Sequence, residues 1–193
     1  MVKHSTQSRP VFSTDYFEIE EIDTENYSND KPYYRLTGHD SIICCLMDRL
    51  GHLVMVRQYR PNLGMSTLEF PAGCIEKNEL PISAAHREIA EETGFKCELL
   101  PLGPFIQMMN RTNIREYLFF GMNPVAIPGH LPERDLEVIT VTREELVEIT
   151  KKGDYLQLPG LSILQLVQIT LGVNILIDSV EVIYNTFKTQ VEI

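Results

Sequence analysis

Apolar residues recur along this chain with two different periods. Near the start, "YFEIEEI" (16–22) alternates apolar and polar positions, as a strand buried on one face does. "NYSNDKP" (26–32) predicts a turn and "YYRLTGH" the returning strand. The apolar runs "SIICCLMD" and "HLVMVRQYR", separated by Arg49-Leu50-Gly51, predict two strands joined by a tight turn. "RPNLGMS" reads as a loop, "TLEFPAG" as a short strand broken by Pro71 and Gly73, and "CIEKNEL" as a polar loop. The period then changes. Pro81 suits the first turn of a helix and Gly94 its C-terminal cap. Between them Ala84, Ala85, Ile89 and Ala90 supply a packing face, with the glutamates largely elsewhere. "KCELLPLG", "REYLFFGMNPV" and "EVITVT" predict further strands. "REELVEITKKG" predicts a helix ended by Gly153, and "LSILQLVQITLG" a second ended by Gly172. The tail, 173–193, fits an extra strand or an arm on a neighbouring subunit. This order predicts an α+β fold, a mixed sheet sandwiched by helices, and not a doubly wound parallel one.

With 193 residues, 44% hydrophobic and 23% charged, the chain can bury the core of one domain. Its formal net charge of −10 argues against nucleic acid or an anionic membrane as the main partner. A small polyanion is still admissible where metal ions or arginines supply positive charge. Cys44, Cys45, Cys74 and Cys97 show no zinc spacing, and the first two sit in an apolar run, which reads as reduced core. The first residues lack the apolar core of a secretory signal. The most apolar segment, "LSILQLVQITLGVNILI", carries Ser162, Gln165, Gln168, Thr170 and Asn174, which opposes a membrane span. The expectation is a cytoplasmic protein.

One helix raises a chemical question. Placed at 81–93, it sets Glu88 and Glu92 at i and i+4 on one face, with Glu91 bordering it. Like charges at this spacing repel by a few tenths of a kcal/mol per pair. A solvated acidic face would tolerate that repulsion; a cation would reverse it. Hard carboxylate oxygens suit magnesium, and no histidine lies at ligand spacing to favour zinc. His86 falls two residues before Glu88 and points away. Arg87 can hold Glu79 of the preceding loop in a bidentate pair. Gly73 suits an unusual φ or a close approach, and the Ala72 carbonyl beside it offers a further ligand.

The whole spacing is more specific than the acidic run alone. Gly73, five residues, Glu79, seven residues, Arg87-Glu88, an aliphatic, any residue, Glu91-Glu92, any residue, Gly94 and an apolar residue make up the Nudix box without substitution. The chain therefore resembles the Nudix hydrolases. That resemblance implies an α/β/α sandwich on a mixed sheet, and magnesium- or manganese-dependent cleavage of nucleoside diphosphates linked to another moiety. It implies Glu88 and Glu92 as principal metal ligands, Glu91 as ligand or catalytic helper, the Ala72 carbonyl as a ligand, and Glu79 and Arg87 as structural.

"LVMVRQYRPNLGMSTLEFPAG" is similar to the segment preceding the box in the ADP-ribose pyrophosphatase branch. That similarity implies substrate contacts from Arg60 and Glu69, with Arg57 as a further candidate that is otherwise a strand-edge charge. It also implies a homodimer built with the N-terminal strands, about 12–36. A catalytic glutamate on the acidic loop "IPGHLPERDLEV" is implied too, where Glu133 ranks ahead of Asp135 and Glu137. The chain departs from that branch after the box: "IQMMNRTNIREYLFFG" replaces the usual turn, with Arg111 and Arg115 as candidate phosphate ligands and Glu116 loosely placed. Met108 and Met109 read as wall or core, and His4, His39, His52 and His130 as loop or surface residues. The expected layout is N-terminal strands with a dimerising role over 1–40, a Nudix domain over 41–172, and an extension over 173–193. The expected reaction is hydrolysis of ADP-ribose, or a similar nucleoside diphosphate sugar, to a nucleoside monophosphate and a sugar phosphate. The alternatives are a dinucleotide or nucleoside triphosphate substrate, and a non-catalytic nucleotide sensor.

Overall fold

A computed structural model describes residues 7–23, 32–130, 133 and 135–191. His4 and most of the turn expected over 26–32 lie outside these. Strands β1 (Ser8–Ser13), β2 (Phe17–Ile22) and β3 (Tyr33–Gly38) form an antiparallel sheet of their own. A second sheet contains β4 (Ser41–Met47), β5 (Leu53–Arg60), β6 (Met65–Glu69), β7 (Ala72–Cys74), β8 (Phe95–Phe105), β9 (Glu116–Ala126) and β10 (Leu136–Val141). Its order is β10-β5-β4-β9-β8, with β6 paired to β5 and β7 to β4. Strands β4 and β9 run parallel and the other pairs antiparallel, so the sheet is mixed. The helices are α1 (Pro81–Thr93), α2 (Arg143–Lys152), α3 (Leu158–Leu171) and α4 (Val180–Val191).

The continuous apolar run of β4 has a simple cause, because both of its faces are covered. Ile42, Cys44 and Leu46 pack with Ala84, Ala85 and Ile89 of α1. Ile43, Cys45 and Met47 pack with Ile163 and Val167 of α3 and Ile183 and Phe187 of α4. The result is helices on both faces of one mixed sheet. All four cysteines are free.

Strands β4 and β5 stay paired only next to their hairpin, at Leu46–Met47 and Leu53–Val54, and then splay. Strand β6 takes the vacated side of β5 and β7 that of β4, so Phe70 and Pro71 bridge a wedge opened between two neighbouring strands. That wedge faces the C-terminal half of α1, and the candidate site lies there.

Three expectations change. The tail is a helix of this chain, not an extra strand or a neighbour's arm: Ile183 and Phe187 are fully buried, and the Phe187 ring meets Phe120 edge-on at 5.7 Å. Helix α3 begins three residues before the expected start, because Pro159 occupies its first turn and Gly160 packs inside instead of forming a loop. Met108 and Met109 are exposed and not core, Met109 by 84%.

Candidate active site

Helix α1 forms where the sequence places it. Pro81 opens its first turn, and Gly94 closes it at φ 72°, its N–H bonded to the Ala90 carbonyl at 2.9 Å. The three box carboxylates then meet different partners. Glu92 is buried, against the expectation that the glutamates leave the packed face, and its Oε2 accepts the Ala72 N–H at 3.0 Å. Glu88 lies against Gly73, where any β-carbon would collide with its carboxylate, so the glycine provides a close approach and not an unusual φ. Arg87 Nη1 donates to Glu88 at 2.7 Å and to Glu91 at 3.0 Å. The rest of its guanidinium forks onto Glu79 at 3.0 and 2.9 Å and reaches the Cys74 carbonyl at 2.9 Å. Glu79 also accepts the Glu76 N–H, which fastens the polar loop to the helix.

Burial and the charges of Glu88 and Glu133 push Glu92 up to about 8, against the pull of the Ala72 N–H. Burial raises Glu88 as well; Arg87 opposes it, while Glu91 and Glu133 add to it. Arg87 holds Glu79 below its ordinary value. Among the described residues no three of His, Cys, Asp and Glu converge as a ready-made metal cage. Glu88 and Glu91 are turned onto Arg87, so a cation would compete with that guanidinium for them. The donor set fits a hard divalent cation: carboxylate oxygens, two of them on groups that resist ionising without positive charge nearby, with a backbone that Gly73 lets approach.

On the other side of the wedge, Arg60 grips Glu69 in a two-point pair, Nε to Oε1 at 2.8 Å and Nη2 to Oε2 at 2.6 Å. The Thr67 hydroxyl donates to the same carboxylate at 2.5 Å. Burial opposes ionisation of Glu69, yet Arg60 and Thr67 together hold it below its ordinary value. Arg60 also feels the Glu92 charge. Arg57, by contrast, pairs with Glu137 across β5 and β10 at 2.9 Å, both side chains at least half exposed.

Arg111 and Arg115 lie exposed between β8 and β9. Their segment is stitched to the N-terminal sheet: the Leu36 N–H donates to the Arg111 carbonyl at 2.8 Å, and the Tyr33 hydroxyl to the Asn110 carbonyl at 2.5 Å. The Arg115 N–H donates to Asp40. Glu133 and Asp135 are exposed ahead of β10, and Glu133 is the one whose charge reaches both Glu88 and Glu92. Glu116 is half-buried, raised by burial, at the edge of a pocket of about 420 Å³ floored by Leu118 and walled by Phe105, Ile106, Leu158 and Pro159.

Four residues near the site escape sequence reasoning. Thr67 had a faint signal, two positions before Glu69 and so on the same strand face. His130 is more than a loop residue: its Nε2 lies 3.4 Å from the Glu91 carbonyl, and its ring covers Gly94 at the end of α1. Tyr155 and Gln157 reach Phe70 across 85 or more positions of sequence, and no local pattern announces that.

A mixed sheet between helices, with an acidic helix end set against a glycine-bearing strand, defines a class, and the comparisons agree with it. Residues 37–158 match the NUDIX domain model, and the chain belongs to the Nudix family. It is 46% identical over 70 residues to a Mus musculus ADP-sugar pyrophosphatase, covering 35% of this chain and 32% of that one. It is 44% identical over 50 residues to a Bacillus subtilis (strain 168) ADP-ribose pyrophosphatase, covering 26% and 27%. A methanol dehydrogenase activator of Bacillus methanolicus is 32% identical over 93 residues, covering 48% and 50%. The chain thus spans between about a quarter and a half of the length of these relatives. The crystal structure of an ADP compounds hydrolase superposes with a TM-score of 0.70 at 21% identity, over 89% of this chain and 97% of that one, a likeness of fold.

Proposed function

We propose that this protein is a magnesium-dependent pyrophosphohydrolase acting on ADP-ribose or a similar nucleoside diphosphate sugar. ADP-ribose would give AMP and ribose 5-phosphate. The observation that carries this reading is the junction of α1 and β7, where Glu92 is buried on the Ala72 N–H and Glu88 lies against Gly73. Both carboxylates are raised by burial, an arrangement that a divalent cation would stabilise.

Glu88, Glu91, Glu92 and the Ala72 carbonyl are the residues that would hold the cation. Magnesium suits these all-oxygen donors, and manganese is the near substitute. When bound, the cation neutralises pyrophosphate oxygens and acidifies water. The chain's own groups do the rest. Arg60, held in its fork by Glu69, presents its remaining donor to a phosphate. Arg111 and Arg115 supply further positive charge for the substrate's phosphates, and Arg57 stands at the rim. Glu133 accepts the proton of the attacking water, and Glu91 helps to orient that water. The recess beside Glu116 and Leu118 opens on the α3 side of the sheet, the face opposite α1, and is assigned no part in binding the substrate.

The sheet β1–β2–β3 exposes Val11, Phe12, Tyr16, Phe17 and Tyr34, and we assign it to a homodimer interface. Light scattering after size-exclusion chromatography should return twice the chain mass at micromolar concentration; a clean monomer would overturn this assignment. The four free cysteines accord with a cytoplasmic setting. No helix of the described residues is long and apolar enough to cross a membrane.

The deciding experiment is product release from a panel of nucleoside diphosphate sugars, dinucleotides and nucleoside triphosphates, with magnesium and with chelator. Chelator-sensitive cleavage of ADP-ribose above the others is expected. A preference for another panel member would keep the reaction and move the substrate. Binding without turnover would favour a sensor, which the intact Glu88, Glu91 and Glu92 oppose.

A further inference from the structure

Phe70 lies between β6 and β7 and outside both ladders, yet it is fully buried. Its two backbone polar groups need partners there. One side chain supplies both: the Phe70 N–H donates to Gln157 Oε1 at 2.9 Å, and Gln157 Nε2 donates to the Phe70 carbonyl at 3.2 Å. The amide of Gln157 thus acts as a one-residue strand, closing the wedge from the α3 side.

The local geometry shows that Gln157 is committed to this contact. It is the N-cap residue of α3 and makes no side-chain bond to a helix N–H, so its amide is free for Phe70. The Tyr155 hydroxyl donates to the same Oε1 at 3.0 Å and fixes the amide. Gly160 lets the helix descend this far, since a β-carbon there would collide with the Tyr155 hydroxyl, Gln157 Oε1 and the Phe70 ring.

The next two residues are tied in turn. The Pro71 carbonyl accepts the Cys44 N–H at 2.9 Å, and the Ala72 N–H donates to Glu92 at 3.0 Å. The segment is therefore held at three successive residues, by α3's N-cap, by the central strand and by a box carboxylate. Pro71 has a fixed φ, so the orientation of the Phe70 peptide passes on to Ala72 with little slack.

We infer that Gln157 is a positioning residue for the reaction, fixing the Phe70 peptide and through it the Ala72 carbonyl and N–H at the cation site. This rests on the reading of Glu88, Glu92 and Ala72 as cation ligands. Gln157 touches no substrate atom in this scheme. Its loss should weaken the cation and leave substrate recognition through Arg60 in place.

The test uses the full chain, chelator-treated, and Mn2+ as probe, with free ion read by electron paramagnetic resonance. In Gln157→Leu and Gln157→Glu the Kd for Mn2+ should rise about tenfold or more, the range typical of groups that orient metal ligands. The Mn2+ concentration for half-maximal cleavage should rise in parallel, while KM for ADP-ribose at saturating Mn2+ stays within about twofold of wild type. Tyr155→Phe, which frees the amide without removing it, should shift the Kd in the same direction by a smaller factor. Folding is checked by circular dichroism; if the leucine variant does not fold, the glutamate variant decides on the same criteria. A folded variant with unchanged Mn2+ affinity would overturn the inference and leave the proposed activity standing. A wild-type chain that binds no Mn2+ would remove both.

Discussion

The two faces of the central sheet do opposite work. On the α3–α4 face, Phe120, Ile163, Val167, Ile183 and Phe187 interlock without a charge among them. On the α1 face the packing is thinner, built on Ala84, Ala85 and Ile89, and it borders carboxylates that burial keeps from ionising freely. A strained acidic site survives because the opposite face, sharing the same strands, supplies the stability. The comparison is sharpest in β4, whose alternate residues serve one face each. Damage to the two should therefore read differently: loss of the α1 carboxylates should cost chemistry with the fold intact, and truncation of the α3–α4 apolar core should cost stability while the folded fraction keeps its chemistry.

The largest effect should come from the α1 face. Glu92→Gln keeps the shape and the acceptor for the Ala72 N–H but removes a negative charge from the cation site. Hydrolysis should fall on the order of a thousandfold, about 4 kcal/mol in the barrier. Circular dichroism and thermal melting should show a folded protein. Undiminished turnover would remove the proposed ligand set.

The counterpart on the other face is Phe187→Ala. Truncating a fully buried ring that meets Phe120 should cost about 3–5 kcal/mol. For a chain of this size that lowers Tm by roughly 10 °C. The remaining folded protein should keep its kcat. A melting point unchanged by the substitution would mean that the C-terminal helix is not part of the core.

Much of the α1 face is written locally, and most of the α3–α4 face is not. Pro81, Gly94 and the Glu88–Glu92 interval lie within one helix, so spacing alone places them. The pairing of Glu79 with Arg87 spans eight positions and is equally accessible to a sequence reading. Helix α4 is harder, because Val180, Val182, Ile183 and Val191 are β-branched and read as strand, although Ile183 and Phe187 fall at helical spacing. Strand β1 shows no alternation, being exposed along its whole length with a bulge beside Pro10, and only its pairing with β2 defines it. The Gln157–Phe70 contact joins residues 87 apart by side chain to backbone, which leaves no periodic trace. Which charges pair was also hidden: Arg57 and Arg60 lie in one short run, yet one faces Glu137 at the surface and the other Glu69 in the wedge.

A smaller effect separates the faces by pH. Glu92 is raised from 4.5 to about 8, so the metal-free fold favours its protonated form. Its stabilising share is full below the unfolded value and is lost as pH rises through about 8. Glu88 is raised and acts in the same direction. Glu20, Glu69 and Glu79 are lowered, so their contributions are already complete above the unfolded value and stay level across this window. Metal-free protein should therefore melt lower at pH 8.5 than at 5.5, by on the order of 2 kcal/mol or about 5 °C. Glu92→Gln should flatten much of that slope, and added magnesium should restore the loss at high pH. A Tm equal at both pH values in the metal-free wild type would show that the acidic cluster is not strained.

The smallest predicted difference lies between two arginines on one strand. Arg57 and Glu137 are both at least half exposed, and such pairs contribute about 0–1 kcal/mol. Arg57→Ala should leave Tm within about 2 °C and change KM less than about threefold. Arg60→Ala instead strands Glu69, whose side chain is only 10% exposed. It should lower Tm by several degrees and raise KM for ADP-ribose about tenfold or more, since the guanidinium's remaining donor to phosphate is lost with it. The informative quantity is the ratio of the two KM effects. A large ratio places the substrate's phosphates in the wedge between β6 and β7. Equal effects would move them out along β5 toward the acidic loop, and Arg57 would then have to exchange Glu137 for substrate.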